Sequence, residues 1–372
     1  MIIAGAALFA LAFLCSLLMT LLAKKTAGRM GFMDQPGQRK VHAAPTPRNG
    51  GIGIFWGIAL PILASLAAIS IFHAAGQKLS LPASVRLHLP GLVHQEPLAW
   101  LLLGCMLGIH ILGLVDDRRA LGPWSKLFWQ FSMAAALVAG GECMAPGAFR
   151  VLTFLDHFGM VGVIASMALS VVWLVLLTNA FNFLDNMDGL SAGVAFLCAL
   201  MFFLAALYSR QWFICALLTV YMGSILGFLC FNFPPASIFM GDGGSMVLGF
   251  FLAALTMRTT YYPGHGRWYA VFMPLIVVAV PLYDMAVVSV LRLRRGKSPL
   301  VGDANHFSHR LTRHGFSKRS AVLIIYAITL ACGLSAPLLA RANPAQAALI
   351  AGQCVSILVV IGILERLGEH TT

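Results

Sequence analysis

Long apolar runs recur through almost the whole chain, and they decide what it can fold into. About eleven are present, at residues 2–23, 52–72, 98–115, 127–140, 160–177, 191–208, 212–231, 246–262, 268–291, 321–340 and 345–364. A helix of ~20 mostly apolar residues matches the hydrocarbon thickness of a bilayer. In lipid the backbone must satisfy its own hydrogen bonds, and a continuous run of this length does so as a helix. The sequence therefore predicts an all-α, polytopic integral membrane protein of about eleven transmembrane helices. With 59% hydrophobic and only 10% charged residues, little polar surface is left for a soluble unit. Residues 1–372 read as one membrane-embedded domain.

Lysine and arginine orient the spans. Of the 25 such residues, seven (Lys78, Arg86, Arg150, Arg210, Arg258, Arg267 and Arg341) fall on one side, and the other eighteen share the opposite side. The positive-inside rule places the richer side in the cytoplasm, the N-terminus outside and the C-terminus inside. The first run has no basic stretch before it and Lys24-Lys25 after it, so it reads as a retained span. The net charge of +12 is then topology signal and attraction to anionic membrane lipid. It is split among short loops, which argues against nucleic acid. The eight cysteines include no Cys-x-x-Cys pair and suggest neither a zinc site nor a disulfide framework.

The 13 acids are more informative. Each carboxylate inside a span costs roughly 2.5–3.5 kcal/mol on insertion scales, so it marks function by default. With the orientation above, Asp116-Asp117, Asp185, Asp188, Asp242 and Asp303 all fall at cytoplasmic ends or loops, whereas Glu96, Glu142 and Asp156 fall outside. Such sorting points to one polar site facing the cytoplasm.

Each island has its own chemistry. Asp116-Asp117, followed by Arg118-Arg119, is either a hydrated span end or a pair whose mutual repulsion suits a metal or a base. Asn179, Asn182, Asp185 and Asp188 recur every three residues and are closed by Gly189. On a continuing helix they share one side, and their amides suit a nucleotide or a sugar. Gly241-Asp242-Gly243-Gly244-Ser245 precedes a span. Its glycines allow close backbone approach, and free amides at a helix start offer an anion site, although a glycine turn alone says little. The stretch from Arg292 to His314 holds six arginines and lysines and three histidines. They read either as topology charges with solvated histidines or as a cationic lid over phosphates. They are a poor zinc site. Asp284 lies eight residues before Arg292, roughly 12 Å into its span, and needs a partner there.

Carboxylates, a glycine turn and a basic loop at one membrane face suggest metal-assisted chemistry on phosphates. Six motifs then carry a resemblance over nearly the whole chain. They are His42-Ala-Ala-Pro-Thr-Pro-Arg48-Asn-Gly-Gly51, Leu114-Val-Asp-Asp-Arg118, residues 179–190, residues 232–245, Pro281-Leu-Tyr-Asp284 and residues 303–311. In this order they resemble the polyprenyl-phosphate N-acetylhexosamine-1-phosphate transferases. That family includes the phospho-MurNAc-pentapeptide translocases and the UDP-GlcNAc:undecaprenyl-phosphate GlcNAc-1-phosphate transferases.

The resemblance implies transfer of a sugar 1-phosphate from a UDP-N-acetylhexosamine to polyprenyl phosphate, with release of UMP and with Mg²⁺ or Mn²⁺. It implies a bacterial inner-membrane protein that starts a cell-envelope glycan such as lipopolysaccharide or teichoic acid, with a second copy of the chain as a partner. By motif, Asp242 matches the metal-binding aspartate, and Asp116 the base on the lipid phosphate with Asp117 beside it. Asp185 and Asp188, with Asn179 and Asn182, match the nucleotide side. His306 and His309 match the histidine loop that meets the diphosphate. His42, Arg48, Asp303 and Arg310 complete the expected substrate contacts.

Three positions depart from the pattern. Ser308 stands where many members have a histidine, Asn186 replaces a common glycine, and Ser237 replaces a common lysine. The ending His306-Phe-Ser-His-Arg-Leu311 looks more like GlcNAc-phosphate transferases than pentapeptide enzymes, so a donor without a peptide is favoured. A proton-coupled transporter is the rival from another class. Transporter sites lie near the bilayer midplane between repeated halves, whereas here the acids sit at one face and no repeat is visible.

Overall fold

The computed structural model describes residues 2–35, 45–75, 83–259, 268–300 and 305–369. His42 and Asp303 lie outside the described residues. Among those described, the chain forms α1 (Ile2–Met30), α2 (Gly51–Ala75), α3 (Ala83–Arg118), α4 (Pro123–Met144), α5 (Gly159–Leu184), α6 (Leu190–Tyr208) and α7 (Trp212–Asn232). It continues through α8 (Asp242–Arg258), α9 (Met273–Val277), α10 (Ala279–Arg294), α11 (Phe307–Arg313), α12 (Lys318–Gly333) and α13 (Pro344–Glu369). One departure from the all-helical expectation is an antiparallel pair of two-residue strands, β1 (Met33–Asp34) and β2 (Thr46–Pro47). Thr46 precedes a proline, which pushes it into extended backbone.

Eight helices are long and apolar enough to cross a membrane, and a ninth arises if α9 and α10 count as one broken span. The chain is thus a multi-pass membrane protein. Two of the eleven expected runs fall short of that standard. α8 has only 17 residues, and α4 carries Lys126, Gln130 and Glu142. The run at 268–291 is not one straight helix, because α9 and α10 meet at 69°. Pro281 explains the break: in a continuous helix its ring would clash with the carbonyl of Val277, and it has no N–H to bond there.

α8 is the centre. Every residue from Gly243 to Met257 is buried, with α2, α3, α5 and α6 against it. Such a helix, apolar on all sides, belongs in the interior of a bundle. α1 shows the opposite pattern. Leu11, Leu14, Leu18 and Leu22 are exposed along one stripe, as suits a lipid face. Ala12, Ser16, Thr20, Ala23 and Ala27 are buried, and small residues let helix backbones approach closely. They do so against α7, where a Cβ on Gly223 or Gly227 would collide with the backbone of α1.

Where α2, α3 and α8 meet, the helices approach still more closely. A Cβ on Gly113 would run into the backbone of Gly243, and one on Gly51 into that of Gly244. The glycines in the first turn of α8 are thus used by protein packing, and this crossing fixes where α8 begins.

Candidate active site

The first island sits at the end of α3, and its two carboxylates do different things. Asp117 is buried. One of its oxygens accepts from the amide of Asp242 and the other from the amide of Gly243, each at 3.0 Å. The amides of Gly244 and Ser245 are already bonded to the Gly241 carbonyl. The start of α8 is therefore capped from within the protein, and the free anion-binding amides expected there are not available. Gly241 allows this turn with φ at 70°, a region that a side chain disfavours. One face of α3 holds the whole arrangement: seven residues before Asp117, His110 bonds the Gly243 carbonyl at 2.8 Å and stacks on Phe55.

Asp116 points elsewhere. It accepts from the Leu121 amide at 2.7 Å and from the Lys126 ammonium at 3.0 Å. The same ammonium contacts Asp242, so Lys126 bridges two acids from different helices. Asn182 completes the group. Its amide donates to Asp242 at 3.1 Å and to Ser245 at 2.9 Å. One turn earlier, Asn179 pairs with Gln130 of α4 at 2.6 Å. Asp116, Asp242, Asn179 and Asn182 are thus brought together as expected. In the sequence Lys126 counts only among the eighteen basic residues of the richer side, and Gln130 only as a polar residue within the apolar run at 127–140. The signal that could have found them is their spacing: two polar residues four apart on one face at the foot of a span.

The helical reading of the second island holds only for its first half. α5 ends at Leu184, and Asp185 is already non-helical, at φ −80° and ψ 51°. Asn186 folds back to the Phe183 carbonyl at 2.8 Å, a local bond that competes with the helix, and Gly189 turns with φ at 73°. Asp185 and Asp188 therefore stand on a turn. Asp188 accepts from the Ala236 amide at 3.0 Å. Asp185 makes no side-chain hydrogen bond among the described residues. Burial, followed by the charges of Asp242, Asp117 and Asp188, pushes its carboxyl well above the usual carboxylate range.

The histidine loop drops into this same region. Asp284 is buried and receives its partners from that loop: Nδ1 of His306 at 2.8 Å and the Phe307 amide at 2.6 Å. This accounts for a carboxylate so far inside a span. Arg292, which reads in the sequence as a topology charge or as part of a cationic lid, is instead buried. It donates to the Pro299 carbonyl at 2.6 Å and packs over Phe183. Arg310 is also turned inward, to Glu365 at 2.8 Å and to the Asn305 carbonyl, and is not presented to a diphosphate. His309 makes no side-chain hydrogen bond among the described residues, and burial, then His306 and Arg313, lowers its pKa. Ser308 donates to Asn186, so two of the three departures from the family pattern touch each other. Arg48 lies 3.8 Å from Asp34, beside the strand pair.

The other acids lie apart, as their placement in the sequence implied. Glu142 and Asp156 both pair with Arg150, at 2.8 and 2.5 Å. A cavity of about 530 Å³ also lies at that far end of α5 and α8, beside Trp173 and Thr256, and none of the site residues lines it.

Among the described residues no three of His, Cys, Asp and Glu form a ready metal cage. The donors nevertheless fit one kind of cation. Asp116 and Asp242 already share a positive charge, that of Lys126. Mg²⁺ characteristically takes one or two carboxylates and completes its shell with water and substrate phosphates.

Comparison with known proteins gives the family. The model of glycosyl transferase family 4 matches residues 99–260, which include Asp116, Asp117, Lys126, Asn179, Asn182, Asp185 and Asp242. The chain is 31% identical to a probable undecaprenyl-phosphate N-acetylglucosaminyl 1-phosphate transferase of Bacillus subtilis, over 90% of this chain and 85% of that protein. It is 33% identical to a decaprenyl-phosphate N-acetylglucosaminephosphotransferase of Mycolicibacterium smegmatis, over 91% and 83%. It is 26% identical to an undecaprenyl-phosphate alpha-N-acetylglucosaminyl 1-phosphate transferase of Escherichia coli, over 87% and 80%. On this similarity along nearly its full length, the chain belongs to the family of polyprenyl-phosphate N-acetylglucosaminyl-1-phosphate transferases.

Proposed function

We propose that the protein transfers N-acetylglucosamine 1-phosphate from UDP-N-acetylglucosamine to polyprenyl phosphate at the cytoplasmic face of a bacterial inner membrane, releasing UMP. The observation that carries this reading is the convergence of Asp116, Lys126, Asn182 and Asp242, from α3, α4, α5 and α8, beside Asp185, which makes no side-chain hydrogen bond among the described residues. A lipid phosphate and a diphosphate both need dense, mixed charge of this kind at the membrane surface.

In the reaction an oxygen of the acceptor phosphate forms a new bond to the β-phosphorus of the donor. The bond from that phosphorus to the bridging oxygen breaks, and UMP leaves with the bridging oxygen. Asp116 is placed to take a proton from the acceptor phosphate when it arrives protonated. Lys126 offsets negative charge between Asp116 and Asp242. Asn182 fixes the rotamer of Asp242, and Asn179 with Gln130 ties α5 to α4 one turn below. His309, lowered in pKa, offers a neutral ring to the diphosphate. Asp242 and Asp116 would hold Mg²⁺, which supplies charge neutralisation for the diphosphate and the departing UMP.

The sugar is tested with purified protein, polyprenyl phosphate and a panel of radiolabelled UDP-sugars. Label from UDP-N-acetylglucosamine is expected in the extracted lipid. Label from another sugar instead would overturn the choice of donor.

A further inference from the structure

Glu365 lies at the end of the last span, α13, far from the family-matched segment at 99–260. It is only 9% exposed. A buried carboxylate at a span end needs partners, and it has two. One oxygen accepts from Nε of Arg310 at 2.8 Å, and the other from the hydroxyl of Tyr283 at 2.9 Å. Arg310 is 3% exposed and also donates to the Asn305 carbonyl.

α11 is only seven residues long and could not hold its own shape in isolation. Its order must come from what it is tied to. Its start is tied to α10 through Asp284, and Ser308 to the turn after α5 through Asn186. Its second half is tied to α13 through Arg310 and Glu365. The ring of Tyr283 meets Phe307 edge-on at 6.2 Å, so the same tyrosine contacts α11 and Glu365. His309 adjoins Arg310, and the His306 carbonyl accepts from the Arg310 amide at 3.0 Å. Whatever holds Arg310 therefore helps to set where both histidines sit, alongside the bond of His306 to Asp284.

We propose that Glu365 is a positioning residue for the transfer reaction. Through Arg310 it holds α11 so that His306 and His309 are in place before the UDP-sugar binds. The proposal rests on the transferase reading for its kinetic arm only. If α11 is loosened, only a fraction of molecules is ready to bind, and the apparent donor affinity falls by that fraction. Saturating donor restores the ordered state. A residue needed merely for folding behaves differently: its loss removes active molecules, lowering kcat and leaving KM alone.

The test compares Glu365→Gln, Glu365→Ala and Glu365→Asp with the parent protein in detergent, with Leu364→Ala as a lipid-facing control. Amide hydrogen exchange of residues 305–313 is read alongside transfer kinetics. For Gln and Ala, exchange in that segment rises, and the donor KM rises about tenfold. The KM for polyprenyl phosphate and kcat at saturating donor stay within about twofold. Asp falls between these and the parent, and Leu364→Ala matches the parent. If Glu365→Ala does not fold, Tyr283→Phe removes one of the two bonds and should shift both readouts the same way, less far. Unchanged exchange in 305–313 overturns the proposal. So does raised exchange with an unchanged donor KM, or a fall in kcat alone. Raised exchange in a protein whose parent releases no UMP would instead overturn the transferase reading.

Discussion

The carboxylate of Asp117, on α3, holds the backbone amide of Asp242, on α8, at 3.0 Å. The neighbouring Asp116 instead meets the Lys126 ammonium. Adjacent residues on a helix point about 100° apart, and here that angle divides a cap on α8 from a carboxylate that meets Lys126. Asp117→Asn places an amide N–H₂ where an acceptor is needed. It should cost about 1–3 kcal/mol of stability and lower activity and melting temperature together. Asp116→Asn should keep the melting temperature and lose roughly 10²–10⁴ in rate. Part of that loss should return between about pH 6 and 9, because the acceptor phosphate, with a second pKa near 6, then arrives deprotonated. A flat profile for Asp116→Asn would remove proton transfer from its role.

Lys126 occupies the position between two acids that a divalent ion would share. Lys126→Met removes the competitor and leaves the carboxylates in place. Binding of Mn²⁺ to the substrate-free protein, read by electron paramagnetic resonance, should tighten at least about tenfold. Transfer should fall, because the positive charge that offsets Asp116 and Asp242 is gone. Equal Mn²⁺ affinity in parent and variant would mean that metal and lysine do not compete.

Asp185 costs the fold stability at neutral pH. Its carboxyl is raised above the ordinary value of about 4, first by burial and then by the charges around it. The folded state thus prefers the protonated form, and stability is lost as pH climbs above the unfolded value. Asp185→Asn removes that loss. Its melting temperature should exceed the parent's at pH 7.5, and the gain should shrink steadily towards pH 4.5. Transfer should fall over the same range. A gain that does not depend on pH would show that ionisation is not the cause.

The crossing of α3 and α8 allows a paired test. Gly113→Ala pushes a methyl into the Gly243 backbone and should cost about 1–3 kcal/mol. The shift of α8 should also carry Asp242 away from Lys126. Gly104→Ala lies two and a half turns away on the same helix and meets nothing within 4 Å. It should leave both thermal stability and transfer close to the parent's.

Much of this was readable in the chain, for physical reasons. Hydrophobic length predicts spans, and the high cost of a carboxylate in lipid concentrates acids where they are used, so Asp116, Asp185 and Asp242 could be named as one set. Three-dimensional pairing was less accessible. Nothing local says that the amides before Met246 are capped by Asp117, 125 residues earlier. Lys126 looked like any span-end cation because topology and the pairing of two acids use the same residue type. The end of α5 depended on Asn186 folding back on Phe183, a competition that three-residue spacing conceals. Arg310 fitted a diphosphate clamp by motif, yet its charge is met by Glu365 from the other end of the chain. Pro281 was the one local clue to the bend between α9 and α10 and could have been used.

The central claim is that the β-phosphate of the donor travels with the sugar. UDP-N-acetylglucosamine carrying ³²P in that phosphate, incubated with polyprenyl phosphate, Mg²⁺ and the purified protein, tests it directly. The account predicts label in the extracted lipid, unlabelled UMP in the aqueous phase, and neither product with Asp242→Asn. Label recovered as soluble UDP beside a sugar-bearing lipid would contradict it, because a sugar alone would then have moved.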